Sequence, residues 1–134
     1  MRWRSVSALL LLLPACASAN EPTIPVHQPP AGINTVLEGP IAGAPDLHLV
    51  MGDLVMGPGG TIPRHKHSGE EFLYVLGGEA TVSRPGEPDL VLKPGQGVRI
   101  SPDTVHWGSA GPEGVRAVSS WVVVNGQPLR TAAE

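Results

Sequence analysis

Beyond Asn34 the apolar residues of this chain fall in short runs cut by glycine and proline, and no stretch sustains a helical apolar period through three turns. Runs of this kind predict strands: residues 35–38, 47–56, 71–76, 79–84, 89–92, 97–100, 105–107 and 115–124. Gly77 and Gly78 separate two of them, a spacing that suits a tight hairpin turn because glycine adopts positive φ without strain. Closely spaced short strands imply a sandwich or barrel, in which closure removes exposed sheet edges. The expected fold class is therefore all-β. Gly57-Pro58-Gly59-Gly60 is followed by neither a Lys-Ser/Thr pair nor a helix, so it reads as a turn and not as a phosphate loop.

The pattern changes upstream. Residues 20–34 hold Pro22, Pro25, Pro29 and Pro30, which remove backbone donors and predict an extended arm, with His27 in solvent. Residues 1–19 combine Arg2 and Arg4, an apolar run from Ala8 to Leu13 and the small residues Ala17-Ser18-Ala19, the pattern of an export signal peptide. The apolar run ends at Pro14, well short of the ~20 residues that a membrane-spanning helix needs. Leu13-Pro14-Ala15-Cys16 offers an alternative, because it resembles a lipoprotein signal whose cysteine is acylated. The expected location is periplasmic or secreted, or anchored through Cys16. With its single cysteine inside that segment, the mature chain has no disulfide and no free thiol to act as nucleophile or ligand.

Removing the leader leaves about 115 residues, enough for one domain with a real core. The barrel is expected over 35–126, with a C-terminal tail at 127–134. Acidic residues outnumber basic ones 12 to 9 and aromatic content is 4%, so no basic, aromatic-rich surface for nucleic acid is expected. Neither a nucleophile elbow nor a dinucleotide-binding glycine pattern opening a helix is present.

What remains is a metal. His65, His67 and Glu71 fall within seven residues. Strand alternation puts His65 and His67 on one face with Lys66 turned outward, and Glu71 keeps that parity. Two imidazoles and a carboxylate suit Zn, Fe, Mn, Ni or Cu better than a thiolate-preferring ion. A metallo-β-lactamase-like site would want Asp and His after the pair, where Ser68, Gly69 and Glu70 stand. An amidohydrolase barrel needs at least about 200 residues.

The spacing carries a further resemblance. Gly59, His65, His67, Glu71 and Gly78 resemble the first motif of the cupin family at every defined position. Gly95, Ser101, Asp103 and His106 resemble the second, with Ser101 where the family usually has Pro, Asp103 where it has Gly, and Ala110 where it has Asn. The resemblance implies a double-stranded β-helix barrel of jelly-roll type. It also implies one divalent transition metal (Fe, Mn, Ni, Cu or Zn) held by His65, His67, Glu71 and His106. Similarity to dioxygenase-type cupins such as quercetinases implies oxidation of a small oxygen-rich molecule, with Glu71 as ligand and catalytic proton acceptor. The alternative is a non-catalytic small-molecule binding or sensing barrel with a structural metal. Family analogy implies a homodimer.

Alternation then assigns the walls. Leu73 and Val75 face inward with Glu71, while Phe72, Tyr74 and Leu76 face outward; His106 points in and Trp107 out. Glu70 turns away from Glu71, which argues against a paired acid and base. His48 has two open placements, in the pocket or in solvent.

Overall fold

A computed structural model describes residues 25–134. The expected export signal, the Cys16 alternative and the start of the arm lie outside the described residues. Those described contain eight strands and no helix: β1 Gly32–Ile41, β2 Ala44–Met56, β3 Thr61–Lys66, β4 Glu71–Ser83, β5 Leu90–Leu92, β6 Gly97–Ile100, β7 His106–Val124 and β8 Thr131–Ala132. Among them there is consequently no helix long and apolar enough to cross a membrane.

All strand pairs are antiparallel, and β7 is the hub. Its second half lies between β2 and β4, with Trp121 opposite both Val50 and Glu71. Its first half runs between β3 and the end of β4, with His106 opposite His65 and Trp107 opposite Ser83. Two long strands that each serve both ends of the molecule wrap the sheet into a double-stranded β-helix barrel. The inner face carries a core of Leu54, Leu73, Val75, Ala80, Val82, Leu92, Ile100, Ala110, Val115 and Ala117. A second cluster of Val50, Trp121 and Val123 packs with Leu129.

Three local expectations change. The hairpin at Gly77 and Gly78 does not form: β4 continues through both, with shifts in register against β7 on either side. Gly78 has φ +68°, and a Cβ there would collide with the carbonyl oxygen of Gly114. The glycine pair thus answers a bulge and a close backbone approach, two needs that look like a turn in local sequence. In the same way the runs at 105–107 and 115–124 belong to one strand, β7, despite Gly108, Gly111 and Gly114. β3 escapes the apolar pattern because Pro63, Arg64 and Lys66 interrupt it.

At the chain's ends, β1 starts at Gly32, inside the proline-rich arm, and His27 is exposed. Residues 127–134 supply β8, which pairs with His65 and Lys66.

Candidate metal centre

His65 and His106 are register partners on β3 and β7, so their side chains share a face. His67 lies just past the end of β3, and Glu71 opens β4. Parity on one continuous strand therefore does not explain Glu71; the chain turns between the two. Gly69 makes that turn possible, because a Cβ there would collide with the Val122 carbonyl. The Val122 amide donates to the Glu70 carbonyl at 2.8 Å, and Glu71 is delivered to the same interior.

The loop before His106 absorbs the departures from the family pattern. Asp103 adopts φ +56°, the conformation glycine would take, and aspartate is among the residues that tolerate it best. Its amide donates to the His67 carbonyl at 2.9 Å, and its carboxylate accepts from Lys66 Nζ at 2.8 Å. The loop is thus pinned to the first motif from both sides.

His65, His67, Glu71 and His106 are all buried, and one ligand atom from each lies within 4.8 Å of the others. Each imidazole is oriented by a backbone carbonyl. His65 Nδ1 donates to Pro63 O at 2.8 Å, His67 Nδ1 to Leu129 O at 2.5 Å, and His106 Nδ1 to Thr104 O at 2.9 Å. A neutral ring that donates from Nδ1 carries its lone pair on Nε2, so three lone pairs converge on the interior. Glu71 Oε2 is 3.1 Å from His106 Nε2 and 3.0 Å from His67 Nε2, and the latter contact lacks hydrogen-bond geometry. Lone pairs facing a carboxylate repel unless a cation lies among them. The donor set and its carbonyl-fixed tautomers fit a divalent transition metal.

The electrostatics agree. Burial pushes the Glu71 carboxyl up, but the Ser119 hydroxyl and the protons that His106 and His67 carry on Nε2 when no cation lies among them outweigh it and hold the group well below the usual carboxylate range. Ser119 Oγ donates to Oε1 at 2.6 Å, which leaves Oε2 for the interior. Burial lowers the proton affinity of His65; the Pro63 carbonyl opposes this and the other two imidazoles reinforce it, so the neutral, ligating form is favoured.

All four residues line one cavity of about 50 Å³. Its walls are mostly apolar, with Ile33, Leu54, Met56, Leu73, Val82 and Ile100 among them. Leu73 lines it and Val75 is fully buried, while Phe72, Tyr74 and Leu76 are exposed, as alternation predicts. Trp107 differs: it is half-buried, touches the cavity, and stacks under the Arg64 guanidinium at 4.2 Å. His48 lies off the cavity lining, bonded to Asn125 Oδ1 at 2.9 Å and near Glu38. Glu70 pairs with Arg99 on the outside.

Three contributors were not read from sequence. Ser119 and Trp121 reach the site only through the long-range β4–β7 pairing, and Leu129 through the return of the tail. The one sequence signal for the first two is their alternation within residues 115–124, in phase with Ala117 and Val123.

Comparison with curated protein sequences finds no match. Among solved structures, the chain is similar to a cupin-like protein from Thermotoga maritima (29% identity, TM-score 0.59, 63% of this chain and 64% of that one). A double-stranded β-helix protein from Klebsiella pneumoniae is 26% identical with TM-score 0.58 over 81% of this chain and 90% of that one. The DMSP lyase DddQ from Ruegeria pomeroyi is 24% identical with TM-score 0.55, covering 66% of this chain and 43% of that one, a likeness of fold alone. The chain thus spans less than two thirds of the Thermotoga and Ruegeria proteins. The family profile described as the cupin domain matches residues 52–123. Because that match takes in all four convergent residues and more than half of the 134-residue chain, the protein belongs to the cupin family.

Proposed function

We propose that this cupin is a metal-dependent enzyme acting on a small oxygen-containing molecule, with His65, His67, Glu71 and His106 as the metal ligands. One observation carries the reading: the four ligand residues line a cavity instead of closing on themselves. A site of that kind keeps positions for an exchangeable ligand, whereas a structural metal site is closed. This favours an enzyme over the alternative of a binding or sensing barrel with a structural metal. A redox-active divalent ion held there supplies Lewis acidity and a route for electrons to O₂, the dioxygenase-like version of the reading.

The chain's own residues do the rest. The three carbonyl-bound imidazoles hold their Nε2 atoms inward, and Ser119 fixes the Glu71 carboxylate so that Oε2 faces the same point. Glu71 serves as anionic ligand and as proton acceptor. The apolar walls exclude bulk water and strengthen every charge interaction inside.

Elemental analysis of the wild type beside His65→Ala and His106→Ala tests the reading. The expected result is about one metal per chain in the wild type and loss in both variants, followed by oxygen consumption with small oxygen-rich substrates. A folded wild type without metal would overturn the metal centre. Stoichiometric zinc with no exchangeable ligand would favour the structural-metal alternative.

Export and dimerisation belong to the same proposal. The N-terminal pattern at 1–19 supports export, checked by N-terminal sequencing of the protein recovered outside the cytoplasm. The exposed Phe72, Tyr74 and Leu76 on one side of β4 support a homodimer, checked by sedimentation of Phe72→Asp against the wild type.

A further inference from the structure

Trp121 is 3% exposed and lies on the cavity wall, opposite Glu71 in the β4–β7 register and with its ring 6.0 Å from that of His67. Its far benzo edge is seated against Gly52, where a Cβ would come within 2.9 Å of the ring, so β2 fixes the indole in place. Yet Nε1 is buried with no hydrogen-bond partner among the described residues. A buried donor left unpaired destabilises the fold, so its retention beside the ligand set points to an acceptor that arrives from outside.

Two more features of the same wall define that acceptor. Arg130 is the one Lys or Arg on the lining and is solvent-exposed, so the wall carries one guanidinium charge. The volume of about 50 Å³ is small. At roughly 10–15 Å³ per water-sized position it has room for about four such positions, which favours a ligand of few heavy atoms.

Resting on the metal-centre reading above, we infer that the cavity takes a short-chain carboxylate of about four heavy atoms, oriented by the Trp121 indole N–H and attracted by Arg130. The carboxylate supplies the acceptor the indole lacks and the negative charge that Arg130 favours. The short alkyl part meets the apolar walls.

The test uses the zinc-loaded full chain, titrated calorimetrically with acetate, with acetamide as neutral isostere and benzoate as an oversized acid. Acetate is expected to bind more tightly than either. Trp121→Phe should weaken acetate about tenfold, the size of one hydrogen bond, with metal content unchanged, and Arg130→Gln several-fold. Equal acetate affinity in wild type and Trp121→Phe, or benzoate binding as well as acetate, would overturn the inference. So would a fully metal-loaded wild type that ignores acetate, whereas a protein that holds no metal fails the earlier reading instead. If Trp121→Phe does not fold, the wild type decides by NMR. The full chain carries Trp3, Trp107 and Trp121, and Trp107→Phe assigns one resonance. An indole N–H signal that moves downfield with acetate and survives in Trp107→Phe supports the inference, and unmoved indole signals sink it.

Discussion

Glu71 and Phe72 are neighbours on β4 and meet opposite surroundings: the carboxylate is 7% exposed and the phenyl ring 45%. The inversion extends beyond that pair. On the inner side His65, His106 and Ser119 are buried with Glu71, while on the outer side Tyr74 and Leu76 stand in solvent with Phe72. Ordinary sorting buries apolar groups and exposes charged ones, so each side departs from it in its own direction. The inner departure is satisfied in detail, with every imidazole Nδ1 and one carboxylate oxygen hydrogen-bonded. No comparable partners cover the outer apolar groups among the described residues. Buried polar groups with fixed tautomers mark a site for a small cation, and an apolar sheet face marks a surface for something larger.

The sharpest break in this comparison is the same new residue placed one position apart. Glu71→Gln removes the only anionic ligand, and metal affinity is expected to fall by more than about 100-fold, beyond the loss typical of a supporting group. Phe72→Gln points outward and should leave metal content at the wild-type level. Metal analysis of the two variants checks both; equal losses would mean that alternation along β4 does not separate a site from a surface.

The two faces persist along β4 only because the strand continues past its glycines. Gly78→Ala forces a side chain into positive φ and against the Gly114 carbonyl, and should cost at least about 2 kcal/mol. Gly77→Ala meets nothing within 4 Å and has no positive φ, so it should be close to neutral. Denaturant midpoints measured side by side separate them.

Within the inner face, Ser119 distinguishes a ligand from its support. Ser119→Ala leaves all four ligands but frees Glu71 Oε1, and metal affinity should drop by about tenfold, with stoichiometry retained at saturating metal. Isothermal titration of the metal-free protein gives the number, and an unchanged affinity would show that the hydroxyl only fills space.

These residues also show how far sequence reaches. All-β patterning and the four residues that converge were legible because strand alternation and motif spacing are local, and the interior brings those four together. Glu71 was placed correctly through a continuous strand that is in fact broken at Ser68 and Gly69. Gly77 and Gly78 misled because a bulge and a hairpin ask the same backbone freedom of glycine. Ser119, Trp121 and Leu129 were out of reach: Ser119 is 48 residues from its carboxylate partner and Leu129 is 62 from its imidazole. Separations of that size are bridged by sheet register, which no local pattern encodes.

The outer face offers the smallest and most specific effect, through the two-point ion pair of Arg116 and Asp53. Arg116 donates to Asp53 from Nε at 3.2 Å and from its terminal nitrogen at 2.7 Å. These hydrogen bonds, against a smaller opposing effect of burial and with help from the charges of Arg116 and His27, hold the Asp53 carboxyl below its ordinary value. Above the unfolded value of about 3.9, folded and unfolded chains both carry the charge and the pair contributes in full. As pH falls below that, the unfolded chain takes up a proton first and the contribution shrinks, disappearing once pH passes through the folded value. Asp53→Asn removes the dependence. Both proteins are compared in a His106→Ala background, which keeps metal out of each. The gap in denaturant midpoint between the chain that retains Asp53 and the one carrying Asp53→Asn should persist undiminished from pH 7 to pH 5 and close only at lower pH. A gap that closes already between pH 7 and pH 5 would assign the dependence to histidine and leave the outer face without an electrostatic role of its own.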